Sequence, residues 1–213
     1  MASPHKMLAA AMLAGGLALS ACQTAPQEGV ARGETLYGTC EPCHGPAALG
    51  KQALGAPSIA GMESWYIQAQ VEKFRTGVRG SHPDDLEGAR MRPMARSLRN
   101  AADVAAVSDY VAGLPAVEPA TALSGGDAAK GAAAYAVCTA CHGADGKGNK
   151  ALNAPGLTGH SDWYMLTQLH KFKTGLRGVD SRDTSGATMR PMAMTLADEQ
   201  AMLDVIAHIQ TLP

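Results

Sequence analysis

The chain has 213 residues, 46% hydrophobic but only 4% aromatic, with a net charge of −1 and a pI near 6.6. The charge balance leaves no basic footprint for nucleic acid, and so few rings leave small cores short of filling. Five cysteines, an odd number, exclude a fully paired disulfide framework.

The chain opens on a short cationic stretch, His5-Lys6, followed by an apolar run from Met7 to Leu19 and then small residues. That order is an export signal over residues 1–21. The apolar run is shorter than the roughly 20 residues a membrane-spanning helix needs. Leu19-Ser20-Ala21-Cys22 resembles the bacterial lipobox, which implies cleavage before Cys22 and lipidation of its thiol. A plain cleaved signal beside an incidental cysteine is the alternative. Buried acyl chains contribute about 0.8 kcal/mol per CH₂, so the expected location is lipid-anchored, on the periplasmic side of a bacterial membrane. Inner and outer membranes both stay open. Residues 22–30 are polar with one proline and read as a flexible tether.

Two copies of one pattern follow, over residues 31–115 and 129–213, joined by a linker at 116–128 that carries Pro119 and Ser124-Gly125-Gly126. The offset is 98 throughout, as from Cys40 to Cys138. At this spacing Trp65-Tyr66 matches Trp163-Tyr164, Met91-Arg92-Pro93-Met94 matches Met189-Arg190-Pro191-Met192, and Leu114-Pro115 matches Leu212-Pro213. The period is too long for a solenoid repeat and fits a duplicated small domain.

Each copy reads as helical. The first helix is expected to carry Cys40-Glu41-Pro42-Cys43-His44, or Cys138-Thr139-Ala140-Cys141-His142, at its C-terminal end. Cys-x-x-Cys-His is the attachment signature of haem c. Residues i, i+3 and i+4 share a helix face, so two thiols reach the two vinyl groups on one haem edge while the histidine reaches the iron. A single copy would be compatible with chance or half a zinc site; two copies with the same downstream pattern are a strong signal for haem c. Gly33 and Gly131 allow close approach of another helix. The middle helix has N-cap candidates at Ser64 and Asp162 and C′ candidates at Gly77 and Gly175. The last helix starts near Asn100 and Asp198. Its apolar stripes are Val104, Val107, Val111, Leu114 and Met202, Val205, Ile209, Leu212, one face of a helix. No segment shows the alternation of a strand.

A low-spin haem needs a second axial ligand that recurs in both copies. The Met-Arg-Pro-Met segments do. A thioether is a neutral soft donor that favours ferrous iron and raises the potential. The proline suggests presentation from a stiff loop. Met91 with Met189, or Met94 with Met192, are the two ligand assignments. Arg79 and Arg177 are either partners of haem propionates or solvated. Unmatched His82, His160, His170 and His208 are not expected to be ligands.

With these residues in view, the chain resembles the class I cytochromes c, and more closely the dihaem cytochrome c4 group, over residues 30 to 213. The motifs that carry this are Cys-x-x-Cys-His, Pro57-Ser58-Ile59-Ala60-Gly61 with Pro155-Gly156-Leu157-Thr158-Gly159, and Met-x-x-Met before a final helix. The resemblance implies an all-α fold of two tandem domains, each wrapped around one covalently bound haem c. It implies attachment at Cys40, Cys43, Cys138 and Cys141, and iron ligation by His44 and His142. It selects Met91 and Met189 as the other ligands, from their spacing to the final helix's cap. It also implies that the Pro57 and Pro155 carbonyls accept the ring N–H of the proximal histidines. The group usually has Ser at the cap, whereas Arg99 and Ala197 stand here, with Asn100 and Asp198 one residue later. The expected function is single-electron transfer from a respiratory donor complex to a terminal oxidase or reductase, not enzyme catalysis, with no small-molecule substrate. A dihaem peroxidase and a fixed subunit of a larger complex are the alternatives.

Overall fold

A computed structural model describes Met1 and residues 28–213. Cys22 and the export signal lie outside the described residues. Among the described residues there are helices and no strands. The first half contains α1 (Gly29–Tyr37), α2 (Glu41–His44), α3 (Ser64–Arg75), α4 (Leu86–Arg96) and α5 (Ala101–Ala112). The second half repeats the order as α6 (Ala128–Tyr135), α7 (Thr139–His142), α8 (Asp162–Thr174), α9 (Thr184–Met194) and α10 (Glu199–Ile209).

Each half has its own core. Val104, Val107 and Val111 of α5 pack with Tyr37 and Ile67, and Met202, Val205 and Ile209 of α10 pack with Tyr135 and Met165. Burying such side chains contributes about 1.5–3 kcal/mol each. The first and last helices of each half meet at a glycine. A Cβ on Gly33 would lie 2.1 Å from the Ala106 carbonyl oxygen, and one on Gly131 would lie 1.9 Å from that of Asp204, so only hydrogen fits at the crossing. His208 occupies the position of Tyr110 and packs on Tyr135 at 5.3 Å, which makes it a packing residue.

Three expectations need correction. The haem pentapeptides do not end the first helix; α1 closes at Tyr37 and the motif forms the separate short α2, beginning at its N-cap Cys40. The N-caps of α3 and α8 are Glu63 and Ser161, not Ser64 and Asp162. The Asp162 carboxylate is engaged elsewhere: Oδ2 accepts the linker N–H groups of Ala122 and Leu123 at 2.8 and 2.7 Å. Third, Met-Arg-Pro-Met is helical, not a loop, in both halves. Asp85 and Asp183 cap α4 and α9 by accepting from Gly88 and Gly186. Pro93 and Pro191 fall in the last turns, where the lost N–H bond costs least continuity. Asn100 and Asp198 cap α5 and α10.

Candidate haem sites

His44 is buried on α2. Its Nδ1 lies 2.9 Å from the Pro57 carbonyl, and His142 Nδ1 lies 2.8 Å from that of Pro155. A carbonyl only accepts, so Nδ1 carries the proton and donates. That leaves Nε2 unprotonated and available to a metal. Burial pushes both imidazolium pKa values below their ordinary level, against the opposing carbonyl bond, so both rings are neutral at pH 7.

The proline carbonyl is brought there by a small closed loop. Lys51 and Ala56 exchange backbone hydrogen bonds around a 3₁₀ turn, as do Asn149 and Ala154. Gly50 donates to the His44 carbonyl, and Gly148 to that of His142. Gly50 has φ +81°, and a Cβ on it would lie 2.5 Å from the Pro57 carbonyl carbon. A side chain would therefore push away the acceptor that orients the histidine. These glycines read as ordinary loop residues in the sequence; their role appears only once the Pro57 and Pro155 carbonyls are in place.

None of Cys40, Cys43, Cys138 and Cys141 is in a disulfide. Among the described residues no cluster of three or more His, Cys, Asp or Glu side chains is arranged to hold a metal ion. Met91 and Met94 stand three residues apart on α4, and Met189 and Met192 on α9. Exposed Met194 has no counterpart.

The face between the halves is charged and nearly two-fold symmetric. Lys73 Nζ lies 2.6 Å from Asp183 Oδ1, and Lys171 Nζ lies 2.5 Å from Asp85 Oδ1. Glu87 adds a second carboxylate to Lys171 at 2.7 Å, where the other side has Ser185 beside Lys73. Arg79 and Arg177 each donate to both Gln70 and Gln168, at 2.8–3.0 Å. Each guanidinium also covers a ring of its own half, Phe74 or Phe172, at 4.3 and 4.4 Å. The solvated alternative for these arginines is therefore wrong: both are buried. Burial foremost, with Arg177 and Arg79 adding, pushes the Lys73 ammonium below its ordinary range in spite of Asp183.

This face is short of anions. The Nε atoms of Arg79 and Arg177 are buried without a hydrogen-bond partner, and within each half so are those of Arg92 on α4 and Arg190 on α9. Planar donors of this kind match carboxylates, so the residues present fit haem, whose propionates supply carboxylates. The signal in the sequence was the recurrence of Lys73/Lys171, Gln70/Gln168 and Asp85/Asp183 at the offset of 98. Matched charged residues outside the haem motifs mark a shared interface.

The cytochrome c family profile matches residues 30–115 and again 128–213. The chain belongs to the cytochrome c family. It is a dihaem electron-transfer cytochrome with two covalently bound haems c, one per half. It is 33% identical over 181 residues to the thiosulfate dehydrogenase electron acceptor of Stutzerimonas stutzeri (strain A1501), covering 80% of this chain and 78% of the relative. It is 35% identical over 137 residues to the cbb3-type cytochrome c oxidase subunit FixP of Bradyrhizobium sp. (strain ORS 278), covering 60% of this chain and 44% of that protein. Its fold matches reduced recombinant cytochrome c4 from Pseudomonas stutzeri with a TM-score of 0.68 at 23% identity, covering 88% of this chain and 100% of that one. The all-α, tandem-domain expectation is met.

Proposed function

We propose that this cytochrome carries single electrons between respiratory complexes at the periplasmic face of a bacterial membrane, held there by lipid on Cys22. Haem c supplies a one-electron Fe(III)/Fe(II) couple. Cys40 and Cys43, and Cys138 and Cys141, would form the thioether links. His44 and His142 would hold the iron through Nε2, with Nδ1 fixed by Pro57 and Pro155. Met91 and Met189 would each give a thioether sulfur to the iron; their spacing to the caps of α5 and α10 supports them over Met94 and Met192.

The observation that carries this reading is that the same site is built twice, with a methionine segment for each histidine. A histidine and a methionine held on each iron would leave no open position for a substrate, which argues against a peroxidase. The relatives support the partner class. One is named as the electron acceptor of a dehydrogenase and one as a subunit of an oxidase, so a dehydrogenase-type donor and a terminal oxidase fit. The second of these also favours a fixed-subunit reading, which co-purification after mild detergent extraction separates from a mobile carrier. Stopped-flow mixing of the reduced protein tests the main reading. Fast oxidation by oxidase-containing membranes with no hydrogen peroxide turnover is expected; rapid peroxide turnover with a reduced donor overturns it.

A further inference from the structure

The peptide unit between Pro155 and Gly156 is bonded at both ends. Its carbonyl accepts His142 Nδ1–H at 2.8 Å. Its N–H donates to Glu63 Oε2, from the other half of the molecule, at 3.2 Å. The next carbonyl, of Gly156, accepts His160 Nε2–H at 2.9 Å, which fixes the segment. Glu63 stands at the N-cap position of α3 yet its side chain makes no cap bond there; it reaches across to domain 2 instead. The first half has no equivalent. Ser161 occupies the matching position, and no hydrogen bond joins it to the Pro57–Ser58 peptide.

A carboxylate on an amide N–H polarises the amide, and hydrogen bonds in series strengthen one another. The Pro155 oxygen becomes a better acceptor than the Pro57 oxygen, and the proximal ring it holds becomes more basic. A more basic axial imidazole stabilises ferric iron and lowers the potential. We infer that Glu63 of the first domain acts through the Pro155–Gly156 peptide as a positioning and tuning residue for the proximal histidine of the second, pulling the second haem's midpoint potential down while leaving the first unchanged. The two nearly identical sites thereby become unequal, and the difference depends on the halves being docked.

The inference rests on the reading that a haem sits on His142, so haem content is measured first, by pyridine haemochrome. Fewer than two haems per chain would defeat that reading and the inference with it. In protein carrying both haems, Glu63→Gln keeps an acceptor but removes the charge, Glu63→Ala removes both, and Glu63→Asp keeps the charge but withdraws it by one methylene. Redox titration, with the haems assigned by NMR contacts to Cys43 and Cys141, is expected to show the second midpoint rising in all three variants. The rise is largest in Ala and nearly as large in Asp, with the first midpoint steady. In the ferrous protein the Gly156 amide and His142 Nδ1–H proton resonances move upfield together. A second midpoint unmoved by Glu63→Ala overturns the inference. So does an Asp variant matching wild type, because charge at a distance would then suffice. Equal shifts of both haems also overturn it, since they would report a loosened interface.

Discussion

Lys73→Met tests what holds the two halves together. Lys73 is mostly buried and Asp183 fully so, at 2.6 Å. Removing one partner of a buried pair costs about 3–5 kcal/mol, because the other charge is stranded. Lys73 keeps some solvent contact, which places the cost near the lower end, about 3 kcal/mol. At about 1.4 kcal/mol per factor of ten, that weakens docking roughly 100-fold. Denaturant unfolding measures the loss and small-angle scattering shows the halves parting. Adding Asp183→Asn, which still accepts the Gly186 N–H while shedding the stranded charge, restores most of the loss. The pH dependence has a definite sign. Burial pushes the Asp183 carboxyl up, but Lys73, the Gly186 N–H and Arg177 together hold it below its ordinary value. A depressed carboxyl stabilises above its unfolded pKa of about 3.9 and loses that contribution as pH falls through the folded value. In Lys73→Met the depressing partner is gone, so the gap between variant and wild type is full above about pH 5 and narrows in acid. A loss below about 1 kcal/mol at pH 7, or one that does not shrink between pH 5 and pH 2, would refute the reasoning.

Three further variants probe separate links. Gly131→Ala places a methyl 1.9 Å from the Asp204 carbonyl oxygen and forces α6 from α10. Overpacking of this kind costs up to about 3 kcal/mol, which lowers the second domain's melting temperature by roughly 10–20 °C while leaving the first domain's in place. Asp162→Ala strands the N–H groups of Ala122 and Leu123 at a cost of about 1–3 kcal/mol, read as faster amide exchange in the linker by tenfold or more. Cys22→Ser removes the proposed lipid attachment, so the protein moves from the membrane to the soluble periplasmic fraction; retention on membranes would refute the anchor.

The haem motifs were readable because their chemistry is local. Two thiols and a histidine within five residues, repeated at a fixed offset, point to one cofactor before any fold is known. The stripes Val104-Val107-Val111 and Met202-Val205-Ile209 were readable for the same reason, since helical period alone names the buried face. The helical state of Met-Arg-Pro-Met was not. Proline argues for a loop on local grounds, and the Asp85 and Asp183 caps that hold α4 and α9 are themselves fixed by lysines of the opposite half. The Ser64 and Asp162 cap assignments failed similarly, because the Ser64 hydroxyl donates to Asp109 of α5 and Asp162 is used by the linker. Glu63, Gly50 and Gly148 carried no local signal at all; what each does depends on a carbonyl brought near only by the fold.

Carbon monoxide reports directly on whether a methionine sulfur closes the far side of each iron. The fully reduced protein at pH 7 is equilibrated with the gas and its Soret band recorded. The wild type is expected to show no adduct, while Met91→Ala and Met189→Ala each take up one carbon monoxide per chain. Adduct formation at either haem of the wild type, or Ala variants as inert as the parent, would contradict the proposed ligation and the carrier function that follows from it.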